Sequence, residues 1–148
     1  MSYGVGILLD DGLVMAADSR TNAGVDRVAT FRKLHVFEDP GERLFVILTA
    51  GNLSITQSAV SHIAEATEGK NGLPNLMEAT SMYQAARIVG RALRTVHEED
   101  GAALKSLGIE FNASMILGGQ RSTPPATSSR RPTTPPISRS ARSSTASR

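Results

Sequence analysis

After Gln120 the chain loses the means to bury anything, and that break confines a folded core to the first 120 residues. From Arg121 to Arg148, 28 residues, 13 are Ser or Thr, 6 are Arg and 5 are Pro, with Ile137 the one large aliphatic. Such a segment hides too little apolar surface to offset the entropy of ordering it. Residues 121–148 therefore read as a disordered Arg/Ser/Thr/Pro-rich tail, separate from a domain at 1–120. Charge divides at the same place. The tail holds 6 of the 16 Lys and Arg and none of the 14 Asp and Glu, leaving residues 1–120 with a net charge of −4 against the overall +2. The basic balance belongs to the tail, which has no aromatic for base stacking. Phosphate contacts through its arginines are thus a poor account of the protein, and no nucleic-acid partner is expected.

The chain has no cysteine, which excludes a disulfide framework and a zinc–thiolate site. It lacks the basic and apolar regions of a secretory signal, and no apolar run approaches the roughly 18 residues of a membrane span. A cytoplasmic location without a membrane partner is the expectation. Ser2 stands directly behind Met1. Methionine aminopeptidases accept a small penultimate residue, so the mature chain is expected to begin at Ser2.

Tyr3–Leu9 and Leu13–Ala17 are apolar, β-rich runs around an Asp10-Asp11-Gly12 turn signal, which predicts a hairpin with both strands largely buried. Ser19–Ala29 reads as a loop or irregular strand. Lys33–Phe37 and Leu44–Ala50 read as strands around the turn Glu38-Asp39-Pro40-Gly41-Glu42. Then the period changes. Ile55, Ala59, His62, Ile63 and Ala66 share a helical face ending near Gly69 and Gly72. Met82, Ala85, Ala86, Val89, Leu93 and Val96 stripe a second helix, starting at Asn75 or Ser81 and reaching Glu98. Phe111–Leu117 is a fifth strand, ended by Gly118-Gly119. Strands in a run, two helices and a further strand predict an α+β fold with antiparallel pairing.

Ser2 at the head of a hairpin places a hydroxyl and, once Met1 is gone, an α-amino group on one residue. An unperturbed α-amino group has a pKa near 8 and can act as a general base near neutral pH. The hydroxyl needs such a base to become a nucleophile. Very many chains begin Met-Ser, so chain position alone carries little.

Longer segments add to it. Met1-Ser-Tyr-Gly-Val-Gly6, Asp10-Asp-Gly-Leu-Val-Met-Ala-Ala-Asp18-Ser-Arg-Thr-Asn-Ala-Gly24, Thr30-Phe-Arg-Lys-Leu-His-Val-Phe37, Thr49-Ala-Gly-Asn52 and Phe111-Asn-Ala-Ser-Met-Ile-Leu-Gly-Gly119 resemble proteasome β-subunits. They look most like the bacterial branch called Anbu, the ancestral β-subunit family, and the resemblance covers residues 1–120. It implies the N-terminal half of an N-terminal-nucleophile (Ntn) hydrolase αββα sandwich. It also implies a threonine-type endopeptidase acting on protein or peptide substrates without cofactor, in a homo-oligomeric ring or open spiral. Ser2 takes the place of the family's nucleophile, usually Thr. Asp18 matches its acidic active-site residue and Lys33 its lysine beside the nucleophile, an ammonium that favours the neutral amine and is held by Asp18. Gly51 matches the glycine whose N–H helps stabilise the oxyanion. Taken singly, Asp18 is a turn or cap residue, Lys33 a solvated charge and Gly51 a connection glycine. His35, His62 and His97 do not cluster by spacing, and no metal site is expected.

The resemblance stops where the tail begins. Family members continue with further strands, helices and active-site residues. An Arg/Ser/Thr/Pro composition is what GC-rich coding sequence yields out of frame, so the tail is expected to be frameshift-derived. The rival expectation for function is a catalytically inactive structural subunit of a proteasome-like assembly.

Overall fold

The computed structural model describes residues 2–22 and 28–121. The expected tail from residue 122 onward, with its frameshift origin, lies outside the described residues, as does Gly24.

Among the described residues, seven strands and two helices follow in order: β1 Gly4–Leu9, β2 Gly12–Ala17, β3 Arg20–Asn22, β4 Val28–Thr30, β5 Leu34–Asp39, β6 Arg43–Gly51, α1 Leu53–Thr67, α2 Met82–Ser106 and β7 Ala113–Arg121. A single 3-10 turn, Leu76–Glu78, joins the helices. All pairing is antiparallel: a β1–β2 ribbon, a β3–β4 ribbon and a three-stranded sheet in the order β5-β6-β7. The expected α+β class is therefore present, and with its two helices the arrangement is consistent with the N-terminal half of an Anbu-type Ntn fold. The segment read as a loop or irregular strand supplies both β3 and β4.

Strand alternation assigns the two faces of the central sheet. Phe45 and Ile47 point to the helix side, where they are fully buried in one cluster with Ile63, Leu76, Ala85, Ile88, Val89 and Ala92. Ile55, Ala59 and Val96 form a second cluster between the helices and β7. Burying one such Ile or Phe is worth about 1.5–3 kcal/mol, so this layer carries most of the stability. On the opposite face the β1–β2 ribbon lies across the sheet: Gly4 comes up against Leu48 and Ile116, and Met15 and Leu13 come up against Gly118. Helices, sheet and ribbon thus form three layers.

The ribbon is where expectation and structure part. Both strands were expected to be largely buried, yet no residue of either is buried. The Gly4, Gly6 and Met15 face meets the sheet, so Val5, Ile7 and Val14 alternate outward, and they are 48%, 47% and 49% exposed. An apolar run on both faces signals a strand meant to be covered twice; the described residues cover it once.

Helix ends explain two boundary differences. Asn75 and Ser81, the two starts considered for the second helix, are both caps. Asn75 caps the 3-10 turn, and the Ser81 hydroxyl accepts the Gln84 N–H at 3.1 Å to start α2. Gln84 reaches back to the Thr80 N–H at 2.6 Å, a reciprocal arrangement close to a capping box. The helix runs to Ser106, past the expected end at Glu98. Gly101 is tolerated mid-helix, while the stop is Gly108: at φ +69° it closes a Schellman motif in which Ile109 N–H bonds Leu104 O and Gly108 N–H bonds Lys105 O. Gly69 ends α1 in the same way.

Gly118 and Gly119, expected to end the last strand, lie inside β7, which continues to Arg121. A Cβ on Gly119 would stand 2.5 Å from the Leu44 carbonyl and 2.7 Å from the Phe45 ring, and one on Gly118 would stand 2.8 Å from Leu13. The pair lets the ribbon and β6 close onto β7.

Candidate active site

The ribbon's register builds the site. A two-residue turn at Asp10-Asp11 pairs Gly4 with Ala17, so the residues just beyond the ladder, Tyr3 and Asp18, meet as well. Asp18 N–H donates to the Tyr3 carbonyl at 3.0 Å, and Tyr3 N–H donates to Asp18 Oδ1 at 2.8 Å. Asp18 is thereby fixed beside Ser2. The chain passes through β3 and β4 and returns alongside, with Phe31 N–H bonded to the Ser19 carbonyl at 2.8 Å. Lys33 follows at the head of β5, its carbonyl held by the Thr49 N–H of β6 at 2.8 Å.

From there the Lys33 side chain runs under the ribbon. It is only 6% exposed, and its ammonium meets three acceptors: Ser2 Oγ at 3.1 Å, Asp18 Oδ2 at 2.9 Å and the Arg20 carbonyl. An ammonium has three donors, so all are used. Desolvation of the cation is offset by one carboxylate and two neutral oxygens, the condition for keeping a buried charge. The Lys33 hydrogen bond, and after it the Tyr3 N–H, hold the Asp18 carboxyl below the usual aspartate value, so it is ionised at neutral pH. Lys33 as an ammonium offers no lone pair and cannot take a proton from Ser2. It can donate to Ser2 Oγ and so stabilise negative charge developing there.

Of the four residues singled out from the sequence, Ser2, Asp18 and Lys33 are brought into one hydrogen-bonded group. Gly51 ends β6 two residues beyond Thr49, at the end of the sheet where Lys33 leads into β5. Its lack of a side chain has an internal reason: at φ +104° a Cβ would stand 2.5 Å from the Asn112 carbonyl. That requirement comes from the residue that leads into β7 and exists without any substrate. The sequence reading missed the backbone partners at Tyr3 and Arg20, which no side-chain motif reveals. Tyr3 was open to discovery, because a two-residue turn at Asp10-Asp11 sets it opposite Asp18. His62 lies 3.3 Å from Glu99, and His97 packs edge-on against Phe111 at 4.8 Å. Among the described residues no group of three or more His, Asp or Glu could hold a metal ion, and no helix is long and apolar enough to cross a membrane.

No family model matches the chain, and no curated protein does. Solved structures do. An Anbu mutant from Hyphomicrobium sp. strain MC1 is 45% identical over 82% of this chain and 48% of its own, with a TM-score of 0.71. Anbu from Yersinia bercovieri is 44% identical over the same shares, with a TM-score of 0.69. The Pseudomonas aeruginosa Anbu complex, a helical assembly, is 40% identical over 82% of this chain and 48% of its own, at a TM-score of 0.72. The chain spans about half the length of these relatives. Over that half, with Ser2, Asp18 and Lys33 joined at one end, it shows a partial resemblance, in sequence and fold alike, to the Anbu family of ancestral proteasome-type β-subunits.

Proposed function

We propose that this chain is a proteasome-like peptidase subunit in which Ser2, exposed as the N-terminal residue by removal of Met1, attacks the peptide carbonyl. The observation that carries this reading is the Lys33 Nζ to Ser2 Oγ hydrogen bond of 3.1 Å, with Asp18 locking the lysine from the other side. The Ser2 amine takes the hydroxyl proton as Oγ bonds to the carbonyl carbon. It returns that proton to the leaving amine as the peptide C–N bond breaks. Water, deprotonated by the same amine, then hydrolyses the acyl-enzyme ester and frees Ser2. Lys33 steadies the charge on Oγ and disfavours protonation of the nearby amine, and Gly51 N–H is assigned to the oxyanion of the tetrahedral intermediate. A serine in place of threonine keeps the nucleophile and loses the methyl that restricts its rotamer. Self-assembly of copies, as in the helical complex of the Pseudomonas aeruginosa relative, belongs to the same proposal, as does a cytoplasmic location.

The test is hydrolysis of a fluorogenic peptide by the purified chain. Ser2→Ala should lower the rate at least a hundredfold, in line with loss of a covalent nucleophile. Equal turnover by the variant would remove Ser2 from the mechanism. A second reading, an inactive subunit that only packs against similar chains, is favoured by the uncovered outer face of the ribbon at Val5, Ile7 and Val14. Wild-type protein with Ser2 exposed and no turnover supports that reading.

A further inference from the structure

The outward face of α2 is unlike the rest of the acidic folded surface. Tyr83 is 74% exposed and Met82 42%. Arg87, Arg91 and Arg94 follow at helical spacing, all exposed, and line a shallow groove with Pro74, Gln84 and Ile88. None of the three arginines has an ion-pair partner among the described residues; Arg87 lies over the Tyr83 ring with its guanidinium 6.0 Å from the centroid. Tyr, Met and Arg are the residues enriched where proteins meet, and Tyr and Arg dominate interface hot spots. Arg87 to Arg94 spans about 10 Å along the helix.

A patch of opposite sign lies at the β5–β6 turn, beside the segment that leads into α2, where Arg43 Nη1 bonds the Met77 and Ala79 carbonyls. The β5–β6 turn carries Glu38, Asp39 and Glu42, all exposed, none ion-paired among the described residues, around a groove also lined by Gly41, Arg43, Leu44 and Gln120. Both patches belong to elements held rigidly. The stripe is backed by the buried Ile88, Val89 and Ala92, and the turn is tied down by Arg43 Nη1 on the Met77 carbonyl. A contact in which the stripe of one copy meets the turn of the next is heterologous, a patch on one copy meeting a different patch on its neighbour.

We propose that the Tyr83–Arg94 face of α2 is an interface for a second copy of this chain, receiving the acidic β5–β6 turn of its neighbour. The inference rests on self-assembly as proposed above and is independent of the chemistry at Ser2. Opposite fields favour encounter and fix which faces meet, and their attraction falls with salt.

Sedimentation velocity of the full 148-residue chain tests it, with circular dichroism confirming the fold of each variant. Wild type should self-associate and weaken on going from low to high salt. Arg87→Glu, Arg91→Glu and Arg94→Glu combined should weaken association at least tenfold, as should Glu38→Lys, Asp39→Lys and Glu42→Lys combined. Mixing the two variants should restore a hetero-complex, because each keeps the half that the other has reversed. A monomeric wild type overturns both self-assembly and this interface. Association that neither variant changes, or no rescue on mixing two folded variants, overturns the interface alone. Basic-stripe binding to a DNA oligonucleotide by a chain that does not self-associate would identify a nucleic acid as the occupant and likewise overturn it.

Discussion

Among single residues, Lys33 holds the site together. Its three donors are matched one-to-one by Ser2 Oγ, Asp18 Oδ2 and the Arg20 carbonyl, so deleting any acceptor leaves a buried N–H without a partner. Asp18 has a pKa depressed chiefly by Lys33. A carboxyl whose folded-state value is lowered stabilises the fold above its unfolded value and loses that contribution as pH falls through the folded one. The window therefore opens near pH 4 and extends below it. Asp18→Asn should lower the melting temperature at neutral pH and narrow its gap to wild type as the pH drops through that window. A constant gap would mean that the pair does not titrate with folding. The sequence offered the identities of Ser2, Asp18 and Lys33 through a resemblance. That an ammonium 31 residues away in sequence reaches the Ser2 hydroxyl is a consequence of tertiary packing that no local spacing encodes.

Among the elements, what was legible followed periodicity and what was missed followed packing. The 3.6-residue stripe located both helices, and Asn75 and Ser81 announced the caps. The end of α2 was misplaced because Gly101 after Glu98-Glu99-Asp100 resembles a stop, whereas the left-handed backbone belongs to Gly108. Gly118-Gly119 resembles a turn, and only the approach of β6 and the ribbon shows why the pair sits within β7. That approach makes a graded prediction. Gly119→Ala places its methyl against a backbone carbonyl of β6, which cannot move aside, and should cost about 1–3 kcal/mol. Gly118→Ala meets the flexible side chains of Met15 and Leu13 and should cost less. Urea denaturation of the two variants checks the order, and a larger loss for Gly118→Ala would contradict the assigned contacts.

At the scale of the whole fold, the described residues form three layers, and the outermost has one face that they leave uncovered. Val5, Ile7 and Val14 make a contiguous apolar surface of the kind that promotes association or binds apolar probes. Ile7→Thr with Val14→Thr, a facing pair in the ribbon, should cut fluorescence of an added hydrophobic dye while leaving the far-ultraviolet dichroism unchanged; an undiminished dye signal would place the exposed surface elsewhere. The sequence announced this through apolar runs on both ribbon faces, and the expectation of burial failed because covering a second face needs a further layer. The proposed hydrolase depends on one chemical condition, a free amine and a lysine-bound hydroxyl on the same residue. Peptide mapping of the purified chain after treatment with a peptide epoxyketone measures that condition directly. The account predicts a chain lacking Met1 and carrying a single adduct on Ser2; retained Met1, or an adduct on any other residue, contradicts it.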